Sequence, residues 1–206
     1  LSNMGKVQEI FEKQLEKLQV EYFDFYLFHN VCEMNIDAYL DPKYGIFDYL
    51  MEQKKNGRIR HLGFSVHGGM PVLRRFLDAY GDAMEFCQIQ LNYVDWEFQD
   101  AKEKVALLNE RKIPIWVMEP LRGGSLTRLS AEDFGRLQAL RPQESQAGWA
   151  FRFLQSVPGV TVVLSGMSSL PQMEENIATF AADAPATGAE REVLFSIAGD
   201  MVRRTA

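Results

Sequence analysis

The chain has 206 residues, with 28 Asp and Glu against 22 Lys and Arg, for a formal net charge of −6. That balance argues against a general nucleic-acid surface, which needs clustered positive charge, while 47% hydrophobic and 24% charged residues are ordinary for a globular domain. Cys32 and Cys87 stand in no CxxC or metal-ligand spacing, no apolar run reaches membrane-spanning length and no signal-peptide pattern opens the chain. A disulfide framework, a metal site and a membrane partner are therefore not expected, and the cytoplasm is the expected compartment.

In chain order, Val7, Ile10, Phe11, Leu15 and Leu18 recur at helical spacing, with Ser2 or Asn3 placed to cap the helix. Residues 22–29, Tyr-Phe-Asp-Phe-Tyr-Leu-Phe-His, alternate and are aromatic-rich, which predicts a buried strand delivering His29 at its C-terminal end. A loop through Pro42 precedes a helix over 45–56. The basic run Lys54-Lys55-Asn56-Gly57-Arg58-Ile59-Arg60 is expected to be a solvated helix end with Gly57 as its cap. A strand follows at 61–65, a helix at 71–79 with Pro71 in its first turn, and a strand at 86–92. A helix over 100–111 leads to a strand at 113–118, with Pro114 near its start. A long connection, 119–143, separates that strand from a helix over 145–155. The largely β-branched run Val160-Thr161-Val162-Val163-Leu164 predicts the last strand, then come a helix at 171–180, a small-residue linker at 181–188 and a helix at 190–204.

The alternation predicts an α/β fold with about five parallel strands covered by helices. A closed barrel of such units needs eight strands, so five would form an incomplete one. An open doubly wound sheet also fits the count, although no Gly-rich dinucleotide fingerprint turn occurs near the N-terminus. The division expected is 1–182 for the partial barrel and 183–206 for a linker and C-terminal helix.

Five segments occur together: Leu15–Leu18 through Tyr22–His29, Gly63-Phe64-Ser65, Gln88-Ile89-Gln90-Leu91-Asn92-Tyr93, Met118-Glu119-Pro120-Leu121-Arg122-Gly123-Gly124, and Gly166 through Glu174-Glu175-Asn176. In this order and spacing they resemble the aldo/keto reductase family, from the helix before the fourth strand of its (β/α)8 TIM barrel to the eighth unit. The wording of the fourth segment is most similar to a bacterial branch that often continues into a cysteine-rich, ferredoxin-like segment. No such cysteines follow here, so an iron–sulfur cluster is not expected in this chain.

The resemblance implies reduction of a small aldehyde or ketone by NADPH or NADH. It assigns His29 to hydrogen-bonding the substrate oxygen, where a donor stabilises developing charge. Ser65 and Gln88 would bind the nicotinamide carboxamide, with Val66 replacing a frequent asparagine; His67 would be a substrate-facing or solvent-exposed neighbour. Met118 stands where many members stack a tyrosine on the nicotinamide. Pro120, Leu121 and Gly124 would form the loop crossing the pyrophosphate. Gly166, Met167, Ser168, Gln172, Glu175 and Asn176 would hold the adenosine side. Neither Gly166 nor Gln172 is basic, which leaves the choice between NADPH and NADH open.

The resemblance also places the general-acid tyrosine and its lysine and aspartate in the first three strands. Lys6, Lys13, Tyr22, Tyr26 and Tyr44 do not match them, and Asp24 reads as a structural carboxylate. This polypeptide alone is therefore expected to turn over carbonyls negligibly, and an open first edge would favour dimerisation or aggregation. A non-catalytic, cofactor-binding role, as in the potassium-channel β subunit of the same family, is the alternative; a piece of a longer barrel enzyme is the other.

Overall fold

The computed structural model describes residues 3–205. Two compact units are distinguishable: one takes the chain up to Gln88 together with Glu110–Pro114, the other takes Ile89–Asn109 and the chain from Ile115 onward.

The first unit opens with α1 (Val7–Leu18), in which Phe11 and Leu15, four residues apart, share one face and are buried. Gln19 closes the helix in the left-handed region at φ 55°. Strand β1 (Phe23–Val31) pairs in parallel with β2 (Ile59–Val66), setting Phe25 opposite His61 and Leu27 opposite Gly63. Helices α2 (Ile36–Leu40), α3 (Ile46–Lys55) and α4 (Met70–Tyr80) supply the apolar layer. Phe28, 2% exposed, meets Tyr39 and Phe76 edge to face. β2 passes so near Phe86 that a Cβ on Gly63 would lie 2.5 Å from its ring and 2.6 Å from its carbonyl oxygen, so only glycine fits.

Strand β3 (Cys87–Gln90) begins in this unit and ends in the second. There follow α5 (Asp95–Phe98), α6 (Ala101–Glu110), β4 (Ile115–Met118), α7 (Ala131–Gln138), α8 (Gln146–Gln155), β5 (Val160–Val163), α9 (Leu170–Ala181) and α10 (Gly188–Thr205). β4 and β5 pair in parallel, Trp116 opposite Val162. Arg141 forks onto Glu190 at 2.6 and 2.7 Å and also donates to the carbonyls of Ala184 and Pro185, which fixes the residues between α9 and α10. The strands lie in one sheet in sequence order, β1-β2-β3-β4-β5.

Several expectations need correction. β1 is not buried: Phe25 is 50% exposed and only Phe28 and Val31 are inaccessible, because β1 is an edge strand with a neighbour on one side alone. The basic run is not merely solvated, since Lys54 pairs with Glu85, Arg58 with Glu12 and Arg60 with Asp24. The last pair gives Asp24 its structural partner. Asn3 precedes a 3-10 turn at Met4–Lys6 without a side-chain capping bond; Ser2 lies outside the described residues. The loop predicted through Pro42 holds α2, and the long connection 119–143 holds α7. α7 is started by Ser130, whose hydroxyl accepts from the Asp133 N–H, and is tied to α10 through Asp133–Arg204.

Candidate cofactor-binding and active site

In the first unit, His29 stands two residues before the end of β1. Its carbonyl accepts from the Tyr39 hydroxyl at 2.8 Å, and it lines a groove of about 580 Å³. The groove's walls are mostly apolar, with Val7, Ile10 and Leu18 from α1 and Phe25 and Leu27 from β1, beside the polar Gln14 and Tyr39. Tyr26 borders it with its hydroxyl donating to Gln14, and burial pushes that phenol up to about 12.

The chain turns sharply after His29. Asn30 takes φ 57°, the β1–β2 register shifts there, and the Asn30 N–H donates to Ser65 Oγ at 2.8 Å. Ser65 is 1% exposed, so its hydroxyl both anchors the end of β1 and retains a proton to donate. The structure thus brings Ser65 to the backbone beside His29. Gln88 is half-buried on β3, and His67 is exposed, its N–H donating to Val31.

In the second unit, Met118 is half-buried at the end of β4, and Pro120 behind it is buried. The loop that follows has an unusual backbone: Glu119, Arg122, Gly123 and Gly124 all have φ between 49° and 82°. Two devices hold it. Glu119 accepts from the Gly123 N–H at 2.6 Å, and Asn92 donates to the Glu119 carbonyl at 3.0 Å. Asp95, fully buried, receives Gln90 at 2.8 Å and Asn92 at 2.7 Å, and lies 3.3 Å from the Arg122 guanidinium. The carboxylate is therefore charge-balanced by a residue of the loop itself.

A cleft of about 400 Å³ opens beside this loop. Leu121, Gly166, Met167, Gln172, Glu175 and Asn176, all expected on the adenosine or pyrophosphate side, line it together. Asn176 donates to Ser165 Oγ at 3.2 Å, and Glu175 accepts from the Ser145 hydroxyl. Ser168 is not in the lining; its N–H donates to Gln172 Oε1 at 2.8 Å, which ties the approach to α9 onto the first turn of that helix. Met118, Pro120 and Gly124 are likewise outside the lining.

Sequence reasoning missed Asp95, Arg122, Ser145 and Ser165. Asp95 had one local signal, the Asn92-x-x-Asp95 spacing, in which Asn92 Oδ1 accepts from the N–H groups of Val94 and Asp95. Ser145 had another, as the cap of α8.

Comparison with known proteins bears on this geometry. The profile of the aldo/keto reductase family matches residues 2–188. An uncharacterised oxidoreductase of Bacillus subtilis (strain 168), YqkF, is 22% identical over an alignment covering 83% of this chain and 59% of that protein. The chain thus spans about three-fifths of that relative's length. Among solved structures, the apo form of aldo-keto reductase AKR11C1 from Bacillus halodurans superposes with a TM-score of 0.75 at 21% identity, covering 95% of this chain and 69% of that one. An aldo/keto reductase from Klebsiella pneumoniae, in complex with NADP and acetate, gives 0.72 at 18% identity, covering 91% and 62%. The folds agree, and the matched residues 2–188 take in β1, the Gly63–Ser65 segment, the 119–124 loop and the cleft at α9: the chain belongs to the aldo/keto reductase family.

Proposed function

We propose that this chain carries the dinucleotide-binding part and one catalytic group of a nicotinamide-dependent oxidoreductase acting on a small aldehyde or ketone. The observation that carries the reading is the clustering of six expected cofactor residues in one cleft. Its walls fit an adenosine: amide and hydroxyl groups of Gln172, Asn176, Ser145 and Ser165 offer donors and acceptors, and Leu121 and Met167 offer apolar contact. The neighbouring loop suits a pyrophosphate because Gly123 and Gly124, both at positive φ, carry no Cβ and let a ligand approach the backbone.

When bound, the dinucleotide would supply the hydride. The chain's own share is binding, orientation and charge stabilisation. Ser65 and Gln88 orient the carboxamide. Met118 packs at the nicotinamide level, where a thioether suits an aromatic face. His29 donates to the substrate oxygen and stabilises the charge that develops there. The net charge of −6 supports a small-molecule substrate over nucleic acid.

Two measurements on the 206-residue chain test this. Quenching of its tryptophan fluorescence by NADH or NADPH should saturate, while oxidation of either with an aldehyde should stay near the uncatalysed rate, since positioned proton transfer is worth about 10²–10⁴-fold. Absence of saturable binding would refute the reading. Rapid turnover would refute the assignment of the acid to segments outside these residues.

A further inference from the structure

Resting on the cofactor reading above, we infer that Arg191 of α10 is a positioning residue for the 119–124 loop, acting through the single-turn helix α5. The Arg191 guanidinium carbon lies 5.5 Å from the ring centre of Trp96, 5.7 Å from that of Phe153 and 5.6 Å from that of Phe195. Trp96 in turn meets Phe153 edge to face at 5.6 Å and stacks on Phe195 at 6.4 Å. A cation over ring faces is attracted by their quadrupoles, so the guanidinium draws α5, α8 and α10 together at Trp96.

α5 has four residues, and a helix of one turn does not hold itself in water, so its place is set by what its side chains meet. Trp96, 7% exposed, faces the aromatic cage. Asp95 and Phe98, three residues apart and so on a common side, both take Arg122 of the loop. The Arg122 Nε lies 3.3 Å from Asp95 Oδ1, and its guanidinium carbon 5.7 Å from the centre of the Phe98 ring. Arg122 has φ 49°, a conformation that a residue with a Cβ keeps only where its surroundings enforce it. The grip of α5 supplies part of that enforcement, and Gly123 and Gly124 follow directly. Without the Arg191 guanidinium α10 stays attached, held near its ends by Arg141–Glu190 and Asp133–Arg204, but Trp96 is free to shift and α5 with it.

Three variants of the 206-residue chain test this: Arg191→Ala, Arg191→Lys and Arg191→Met. In ligand-free Arg191→Ala the amide signals of Arg122, Gly123 and Gly124 should shift. Arg191→Lys, which keeps a cation over the rings, should restore most of the difference, and Arg191→Met, which keeps only an apolar stem, should not. By calorimetry ADP should bind Arg191→Ala about three- to tenfold more weakly than it binds the unaltered chain, while 5′-AMP, which lacks the second phosphate, is held as before. Unmoved loop signals, or moved signals with ADP affinity intact, overturn the positioning role. Equal weakening of both nucleotides overturns the route through the loop, and rescue by Arg191→Met as complete as by Arg191→Lys overturns the role of the charge. If neither nucleotide binds the unaltered chain, the cofactor reading falls, and the loop signals still decide whether Arg191 positions the loop.

Discussion

The two units each hold a hollow, and the hollows differ in the polar groups their walls bring together. The groove of the first is walled by Val7, Ile10, Leu18, Phe25 and Leu27 around one imidazole, with Leu18 62% and Phe25 50% exposed. The cleft of the second sets hydroxyls, amides and one carboxylate, bonded among themselves through Asn176–Ser165 and Glu175–Ser145, beside Leu121, Phe134 and Met167. Apolar surface left in water is stabilised by being covered; a bonded polar cleft persists as it is. Adenosine binding is therefore assigned to a cleft whose polar groups are already bonded, whereas His29 lines a groove with exposed apolar side chains. Binding and chemistry should come apart experimentally.

The largest expected effect falls on the second unit. Asp95→Ala leaves Arg122 without its buried counter-charge and frees the 119–124 loop, which should cost about 3 kcal/mol in urea unfolding and weaken dinucleotide binding by about tenfold or more. Full retention of both would show that the loop holds its shape without the carboxylate. Next comes the first unit. Gly63→Ala forces a methyl into the Phe86 ring and carbonyl and should cost about 2 kcal/mol, while the second unit's affinity for 5′-AMP stays close to wild type. A parallel loss of that affinity would mean that the two units do not act separately.

Glu190→Gln sharpens the same contrast through pH. The Arg141 fork outweighs desolvation and holds the Glu190 carboxyl at about 2, against an ordinary 4.5. A carboxyl depressed on folding contributes stability that is complete above about pH 4.5 and is lost as pH falls toward 2. The variant should lose about 2 kcal/mol at neutral pH and show a smaller further loss between those limits. Equal acid sensitivity in both proteins would contradict the ion pair's role. The smallest effect is on association. Leu18→Glu with Phe25→Ser should lower dye binding and self-association of the chain by a few-fold without moving 5′-AMP affinity. Unaltered light scattering would remove the groove as the cause.

Much of the fold was legible because periodicity reports local burial. α1 followed from Phe11 and Leu15, and β5 from its β-branched run. α7 was not, since Ala131–Gln138 contains few apolar residues and a glycine; its support arrives from Arg204, 71 residues beyond Asp133. The exposure of β1 was equally hidden, because an aromatic strand reads the same at the edge of a sheet as at its centre. In the cleft, the family resemblance picked out Gln172, Glu175 and Asn176, but Asp95 looks like any surface aspartate until Arg122 folds over it.

The most direct test is a map of where the nucleotide lands. Amide chemical shifts of the labelled chain titrated with 5′-AMP should move at Gly166, Met167, Gln172, Glu175 and Asn176 and remain still at Leu18, Phe25 and Leu27. Shifts confined to the α1–β1 groove, with the residues before and within α9 unmoved, would contradict the assignment of binding to the second unit.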